Sequence, residues 1–381
     1  MKEYSQEKVD EAIRDALEKM QTPNLLICGQ TGVGKSSAVN FLFKEEVAPV
    51  NHGEPCTTDI KLYKGEAVNI YDSEGYEIGS EKQERYQRLI FDEFLKKEEN
   101  QKAGGVHMVW YTISAAGKRF TDTDISIIKQ IRGIPNLPMC VLLTKIDEID
   151  EEQLKDIEGI LKQELPGVKI FKLSIIDEEA VQKFCEWKKL IDWSVSELPA
   201  VFHDRFIAGL KKGLAEKQKQ ARIAVAMATA GSAAVAASPI PFSDAALLVP
   251  IQSVMIFRIL NLYGIKIGGG TIYSLLGSLG IAALGKMIAG NLMKLIPVFG
   301  SAAGAAANVI VATVFTGAIG VTLTELCDKQ AREMLDGKNV TVDIAAIFSS
   351  GEFLKTVTSR LLNKDFEKEA KEFAEEGKKH E

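Results

Sequence analysis

An apolar run, Leu25-Leu26-Ile27-Cys28, feeds without a break into Gly29-Gln30-Thr31-Gly32-Val33-Gly34-Lys35-Ser36. The octet satisfies G-x-x-x-x-G-K-S/T, and a helical pattern over Ser37–Phe43 follows it. A buried strand, a glycine-rich turn and a helix in that order restrict the fold to a layered α/β domain more tightly than any other feature of the chain. The glycines let the backbone curl until successive N–H groups converge, which makes a cradle for phosphate oxygens. Lys35 would reach the outer phosphates, and the Ser36 hydroxyl would ligate Mg²⁺. Gly29, Gln30, Thr31, Gly32, Val33, Gly34, Lys35, Ser36 and Ser37 are therefore the expected nucleotide-binding residues of this loop, with Lys35 also the expected catalytic cation.

Downstream, strand and helix patterns alternate. Ile60–Lys64 and Ala67–Tyr71 are strand-like and separated only by Gly65-Glu66, so they predict an antiparallel hairpin. Apolar runs at Val106–Ile113, Met139–Leu143 and Val168–Leu173 are separated by helical patterns at Glu81–Glu99, Thr123–Arg132 and Glu151–Leu165. The expected domain is a mostly parallel sheet with helices on both faces and one antiparallel strand. Two strands end in further motifs. Asp72-Ser73-Glu74-Gly75 is a D-x-x-G element in which Asp72 would hold Mg²⁺ through water and the Gly75 N–H would bond the terminal phosphate. Thr144-Lys145-Ile146-Asp147 sits at a strand's carboxyl end, where such sheets bind ligands. A carboxylate at Asp147 can accept both N1–H and N2–H of guanine, whereas adenine offers no such donor pair. Thr144 and Lys145 join the expected site, Lys145 by laying its stem along the base.

In their order and at their strand ends, these motifs resemble the Era-like branch of translation-factor-type P-loop GTPases. GQTGVGKSS together with TKID is also similar to septin-, dynamin- and immunity-related GTPases, where Thr often stands in place of Asn. The resemblance spans roughly residues 20–200. It implies GTP or GDP as ligand, Mg²⁺ as cofactor and GTP hydrolysis as the reaction. It also implies that Thr57, or alternatively Thr58, in Pro55-Cys56-Thr57-Thr58 is the switch threonine that ligates Mg²⁺ and supports catalysis. Ser174 occupies the place of the S-A-K base-contact loop, although only its Ser matches. Gly32 stands where potassium-stimulated relatives carry Asn. Tyr76 follows Gly75 where many relatives carry a water-orienting Gln, so the expected intrinsic turnover is slow. A homodimer, an activating protein or a lipid surface would then raise it.

The second half has a different character. Charges occur throughout residues 1–220, but 223–257, 267–285 and 295–324 contain almost none. Strand signals stop near residue 200, and Ala- and Gly-rich helical patterns follow, punctuated by Pro239, Pro241, Pro250 and Pro297. The expected organisation is an amphipathic helix over 1–22, a GTPase domain over 23–200, an apolar all-α domain over 201–362 and a charged tail over 363–381, read as a solvated helix that frays at its end. The stretch from Ser238 to Gly264 resembles a helical domain of unknown function that often follows Era-type GTPases in bacteria. Residues 223–237 make about 22 Å of helix, too short for a bilayer core of about 30 Å. Residues 298–324 make about 40 Å, and Gly300-Ser301-Ala302-Ala303-Gly304 permits close helix approach. Membrane association from the cytoplasmic side through residues 223–324 is the expectation, with a closed soluble bundle as its rival.

Bulk properties exclude some partners. A net charge of −6 lacks the basic footprint of a nucleic-acid binder, so no nucleic acid is expected and a ribosome-assembly role is disfavoured. A module that holds GTP without turnover is a further alternative. The five cysteines form no metal-ligand spacing and the four histidines are scattered, so no metal cluster is expected. Met1-Lys2-Glu3-Tyr4 leads into a charged stretch and not an apolar leader, which points to the cytoplasm.

Overall fold

The computed structural model describes residues 6–43, 54–57, 60–73, 84–86, 88, 90, 95, 105–116, 121–211, 213–237, 244–265, 267–277, 302–335 and 351–380, with the backbone alone at 54–57, 244–247, 302–308, 335, 351 and 354. The chain divides into two compact units. One is Gln21–Gly213; the other joins Met1–Met20, which carries helix α1 (Gln6–Lys19), to Leu214–Glu381.

The first unit is built on strands β1 (Asn24–Gly29), β2 (Glu54–Thr57), β3 (Ile60–Tyr63), β4 (Asn69–Ser73), β5 (Met108–Ser114), β6 (Met139–Thr144) and β7 (Lys169–Lys172). They form one sheet in the order β2-β3-β4-β1-β5-β6-β7. Every pairing is parallel except those of β3, which runs antiparallel to both β2 and β4. The mostly parallel sheet with one antiparallel strand is the architecture the motifs predict. Strands β1, β5 and β6 are buried along their whole length, which explains their unbroken apolar runs: a central parallel strand has no solvent face. The hairpin around Gly65-Glu66 forms as expected. Strand β2 was not foreseen, because Pro55 lacks an N–H and reads as a strand breaker. It is tolerated there because β2 lies at the sheet's edge.

Among the described residues, the longer helices of this unit are α2 (Lys35–Leu42), α3 (Asp122–Arg132), α4 (Glu151–Glu164), α5 (Trp187–Glu197) and α6 (His203–Gly209). Helices α3 and α4 each begin at a capping box, Thr121 with Asp124 and Asp150 with Gln153. Their apolar stripes, Ile125, Ile128 and Ile131 on one and Ile157 and Leu161 on the other, close over Val109, Tyr111, Val141 and Leu143 of the sheet. Strand order reverses at β1, which lies between β4 and β5. The carboxyl ends of these strands thus bound the crevice where ligands sit in open α/β sheets. The helix expected over Glu81–Glu99 lies mostly outside the described residues.

The second unit is helical. Helix α7 (Leu214–Ala236) packs against α8 (Asp244–Leu262), α9 (Ala302–Leu335) and α11 (Lys364–Gly377); α10 (Gly351–Leu361) rests on α9. Helix α1 buries Val9 and Ile13 and packs on α8. Three core helices meet at a polar cluster. The Gln252 amide donates to the Thr316 hydroxyl at 3.1 Å, and Thr316 lies 2.9 Å from Ser232 Oγ. One described helix segment, Val309–Met334, is long and apolar enough to cross a membrane, and 56% of its most apolar window is buried within the unit. The small-residue pattern at Gly300–Gly304 and Pro239, Pro241 and Pro297 lie outside the residues with described side chains.

The C-terminal segment forms the helix expected there, α11, capped by Asn363, but one face of it packs on α7 and α9 and is not solvated. Its charges occupy one side, while Phe366, Ala370, Phe373, Ala374 and Gly377 are buried on the other.

Candidate nucleotide site

The loop after β1 is shaped by its glycines. Gly29 has φ +135°, and a Cβ there would lie 2.2 Å from the Thr112 carbonyl oxygen of β5, so the position admits no side chain. Gly34 caps α2 in the left-handed region, at φ 94°, without a side-chain cap and without an acid in the helix's first turn. The first N–H groups of α2 are therefore left to an anion, which the helix dipole also favours. Thr31 and Gly32 on the loop and Ser37 in the first turn of α2 are exposed, whereas Gln30 and Val33 are buried.

Lys35 is folded inward. Its ammonium donates to the carbonyls of Gly29 at 3.2 Å and Gln30 at 3.1 Å. Burial lowers its pKa, and the neighbouring Asp72 carboxylate opposes that shift. The Ser36 hydroxyl donates to Asp72 Oδ2 at 3.3 Å, joining the start of α2 to the end of β4. A hydroxyl and a carboxylate side by side are hard oxygen donors, a pair that fits Mg²⁺ and suits soft metals poorly.

The Thr144 loop closes the site from the other side. Thr144 Oγ1 is bonded to the Val33 carbonyl at 2.5 Å and lies 3.1 Å from that of Ile113. Its hydroxyl thus holds the phosphate loop and does not point outward to a base. Lys145 adopts a left-handed backbone, φ 57°, and its ammonium lies 3.8 Å from Glu148 at the surface. Asp147 is exposed in the turn Ile146–Glu148. Burial pushes the Cys185 thiol up, and the charge of Asp147 adds to that shift, so the Asp147 turn and the loop ending at Cys185 share one neighbourhood. Ser174 is buried. Its Oγ accepts from Ile176 N–H at 3.0 Å, and its carbonyl accepts from Trp187 Nε1 at 3.1 Å. The side chain therefore braces its own loop.

Of the remaining expected residues, Thr57 ends β2 and is described by its backbone alone. Thr58, Gly75 and Tyr76 lie outside the described residues. Two residues not anticipated from the sequence are tied to the loop. Asp124 is almost fully buried and accepts from Gln30 Nε2 at 2.8 Å, Tyr111 Oη at 2.7 Å and Thr121 N–H at 2.7 Å. Tyr86 Oη accepts from Gly29 N–H at 3.0 Å and lies 2.7 Å from Ser73 Oγ. The T-x-x-D spacing before an apolar run signals the Asp124 cap, though not its bond to Gln30. Nothing local marks Tyr86.

Phosphate cradle, hydroxyl–carboxylate pair and base-side turn at one sheet edge define a P-loop nucleotide-binding domain. Residues 24–145 match the family model described as 50S ribosome-binding GTPase, and residues 210–364 match the model described as a domain of unknown function, DUF697. The chain thus carries a P-loop GTPase domain followed by a helical DUF697 domain. Among curated proteins it is similar to neuronal-specific septin-3 of Mus musculus, 26% identical over 188 residues, which cover 42% of this chain and 53% of the septin. Septin CDC11 of Candida albicans is 23% identical over 209 residues, 46% of this chain and 51% of that protein. The chain spans about half the length of these relatives. Among solved structures it is similar to Aquifex aeolicus Era bound to GDP and aluminium fluoride, with 18% identity, a TM-score of 0.33 and coverage of 53% of this chain and 68% of that one. Era in complex with MgGDPNP and a 16S ribosomal RNA segment matches with 19% identity and a TM-score of 0.32, over 47% and 58% of the two chains.

Proposed function

We propose that the chain is a nucleotide-dependent switch that binds Mg·GTP, hydrolyses it slowly to GDP and phosphate, and acts at a membrane surface through its helical unit. The observation that carries the reading is the joined cluster of Lys35, Ser36 and Asp72, bound through Thr144 to the turn that presents Asp147. Lys35 would leave the two loop carbonyls for the outer phosphates, whose charge favours its protonated form against the burial that now opposes it. Ser36 and Asp72 would hold Mg²⁺, with Thr57 joining them in the GTP state; the ion supplies charge neutralisation during phosphoryl transfer. Asp147 would select guanine, Thr144 would hold the loop that carries the phosphates, and Ser174 would shape the base-side loop. Tyr76 supplies no amide to orient the attacking water, which accounts for slow turnover by the chain on its own.

The membrane part rests on the apolar segment Val309–Met334. A second reading is favoured by the same segment's burial and by the Ser232–Thr316–Gln252 cluster, which suit a closed helical bundle that stays in water. The ribosomal reading suggested by the family description sits poorly with a net charge of −6.

Steady-state hydrolysis by the full chain, with and without anionic liposomes, tests both parts. The expected result is slow GTP turnover, loss of activity in Lys35→Ala, and a rise in rate with co-flotation when GTP-loaded protein meets liposomes. Fast turnover independent of protein concentration and lipid contradicts the switch. Protein that ignores liposomes in every nucleotide state contradicts the membrane role and leaves the closed bundle.

A further inference from the structure

The hydroxyl of Tyr86 stands between two parts of the nucleotide site. Gly29 N–H, at the entry of the phosphate loop, donates to it at 3.0 Å. On its other side Ser73 Oγ lies at 2.7 Å, and Ser73 Oγ is 3.2 Å from the Ile27 carbonyl. Read in one direction the donors form a consistent chain: Gly29 N–H to Tyr86 Oη, Tyr86 O–H to Ser73 Oγ, Ser73 O–H to the Ile27 carbonyl. Tyr86 is 4% exposed and Ser73 1%, so water does not compete for these bonds. Ser73 directly follows Asp72, whose carboxylate meets Ser36. The phenol thus links the backbone that opens the phosphate cradle to the strand end that carries the expected Mg²⁺ carboxylate.

We propose that Tyr86 is a positioning residue that fixes Asp72 against the phosphate loop and so sets how strongly nucleotide binding depends on Mg²⁺ and on the third phosphate. This inference rests on the GTPase reading and deepens it. GDP lacks the third phosphate and relies less on the Asp72 side of the site. Loosening the link therefore weakens Mg·GTP more than GDP. Guanine selection runs through Asp147, in the turn that follows β6, and is left untouched.

The test uses the full chain and fluorescently labelled GTP and GDP, titrated with Mg²⁺. Tyr86→Phe keeps the ring within the buried core that also holds Leu26, Ile90 and Val109, and removes only the hydroxyl. The expected result is a drop of about fivefold in the GTP-to-GDP affinity ratio and a shift of similar size in the Mg²⁺ midpoint, with the preference for guanine over adenine retained. Ser73→Ala, which cuts the link at its other end, shifts both quantities the same way, and the double variant is no worse than either single one. A merely structural hydroxyl would lower the melting temperature and leave the Mg²⁺ midpoint and the ratio where they were. That outcome in both single variants overturns the inference while leaving the GTPase reading intact. Wild-type protein without Mg²⁺-dependent GTP binding overturns the GTPase reading, and the inference with it.

Discussion

At the scale of single residues, the phosphate loop is held in place by groups far away in sequence. Gln30 is the clearest case. Its amide donates to Asp124, which also accepts from Tyr111 and from the backbone of Thr121, so one carboxylate joins the loop, β5 and the start of α3. Asp124→Asn would replace an acceptor by an NH₂ group in a site already filled with donors. Leaving one buried donor unmatched costs about 1–3 kcal/mol. The first unit should then melt several degrees lower, and its affinity for GDP should fall as Gln30 is released. Thermal unfolding of this variant at saturating and zero GDP measures both effects; a midpoint equal to wild type in both conditions contradicts the role. The same scale explains which residues a sequence can nominate. Lys35, Ser36 and Asp147 are nominated as site residues because their chemistry depends on neighbours a few positions away. Asp124 and Tyr86 are not, because their partners Gln30 and Gly29 enter only through the folded sheet.

Elements follow a similar rule. The strands β1, β5 and β6 could be read from composition alone, since burial on both faces leaves an unbroken apolar run. The edge strand β2 could not, because its first residues, Glu54 and Pro55, carry no apolar alternation. The buried face of helix α11, expected as a solvated helix, escapes a sequence reading for a different reason. Charged residues dominate the helix, and much of its buried side consists of Ala and Gly, which carry little weight in any hydropathy count. Phe366 and Phe373 supply most of its apolar surface. Phe373→Ala should destabilise the helical unit by about 3–5 kcal/mol, as a large buried aromatic does when truncated. Far-ultraviolet circular dichroism during thermal unfolding checks this, and a variant as stable as wild type would restore the fully solvated helix.

On the scale of the whole molecule, two units of different composition lie on one chain. The first is a charged α/β domain whose polar groups converge on one sheet edge. The second is an apolar helical assembly in which Ala and Gly faces let helices come together and a Ser–Thr–Gln cluster crosses the interior. In the proposed switch, the nucleotide would set the state of the first unit and the helices of the second would carry the response. Everything in that account depends on the first unit recognising guanine. The most direct measurement is equilibrium displacement of labelled GDP from the full chain by GTP, ATP and xanthosine triphosphate, for wild type and Asp147→Asn. The account predicts displacement by GTP and not ATP in the wild type. In Asp147→Asn it predicts a loss of GTP affinity of at least about tenfold together with a gain for xanthosine triphosphate, since a carboxylate that accepts two donors is replaced by an amide that accepts one and donates one. ATP displacing GDP from the wild type as well as GTP does would contradict it.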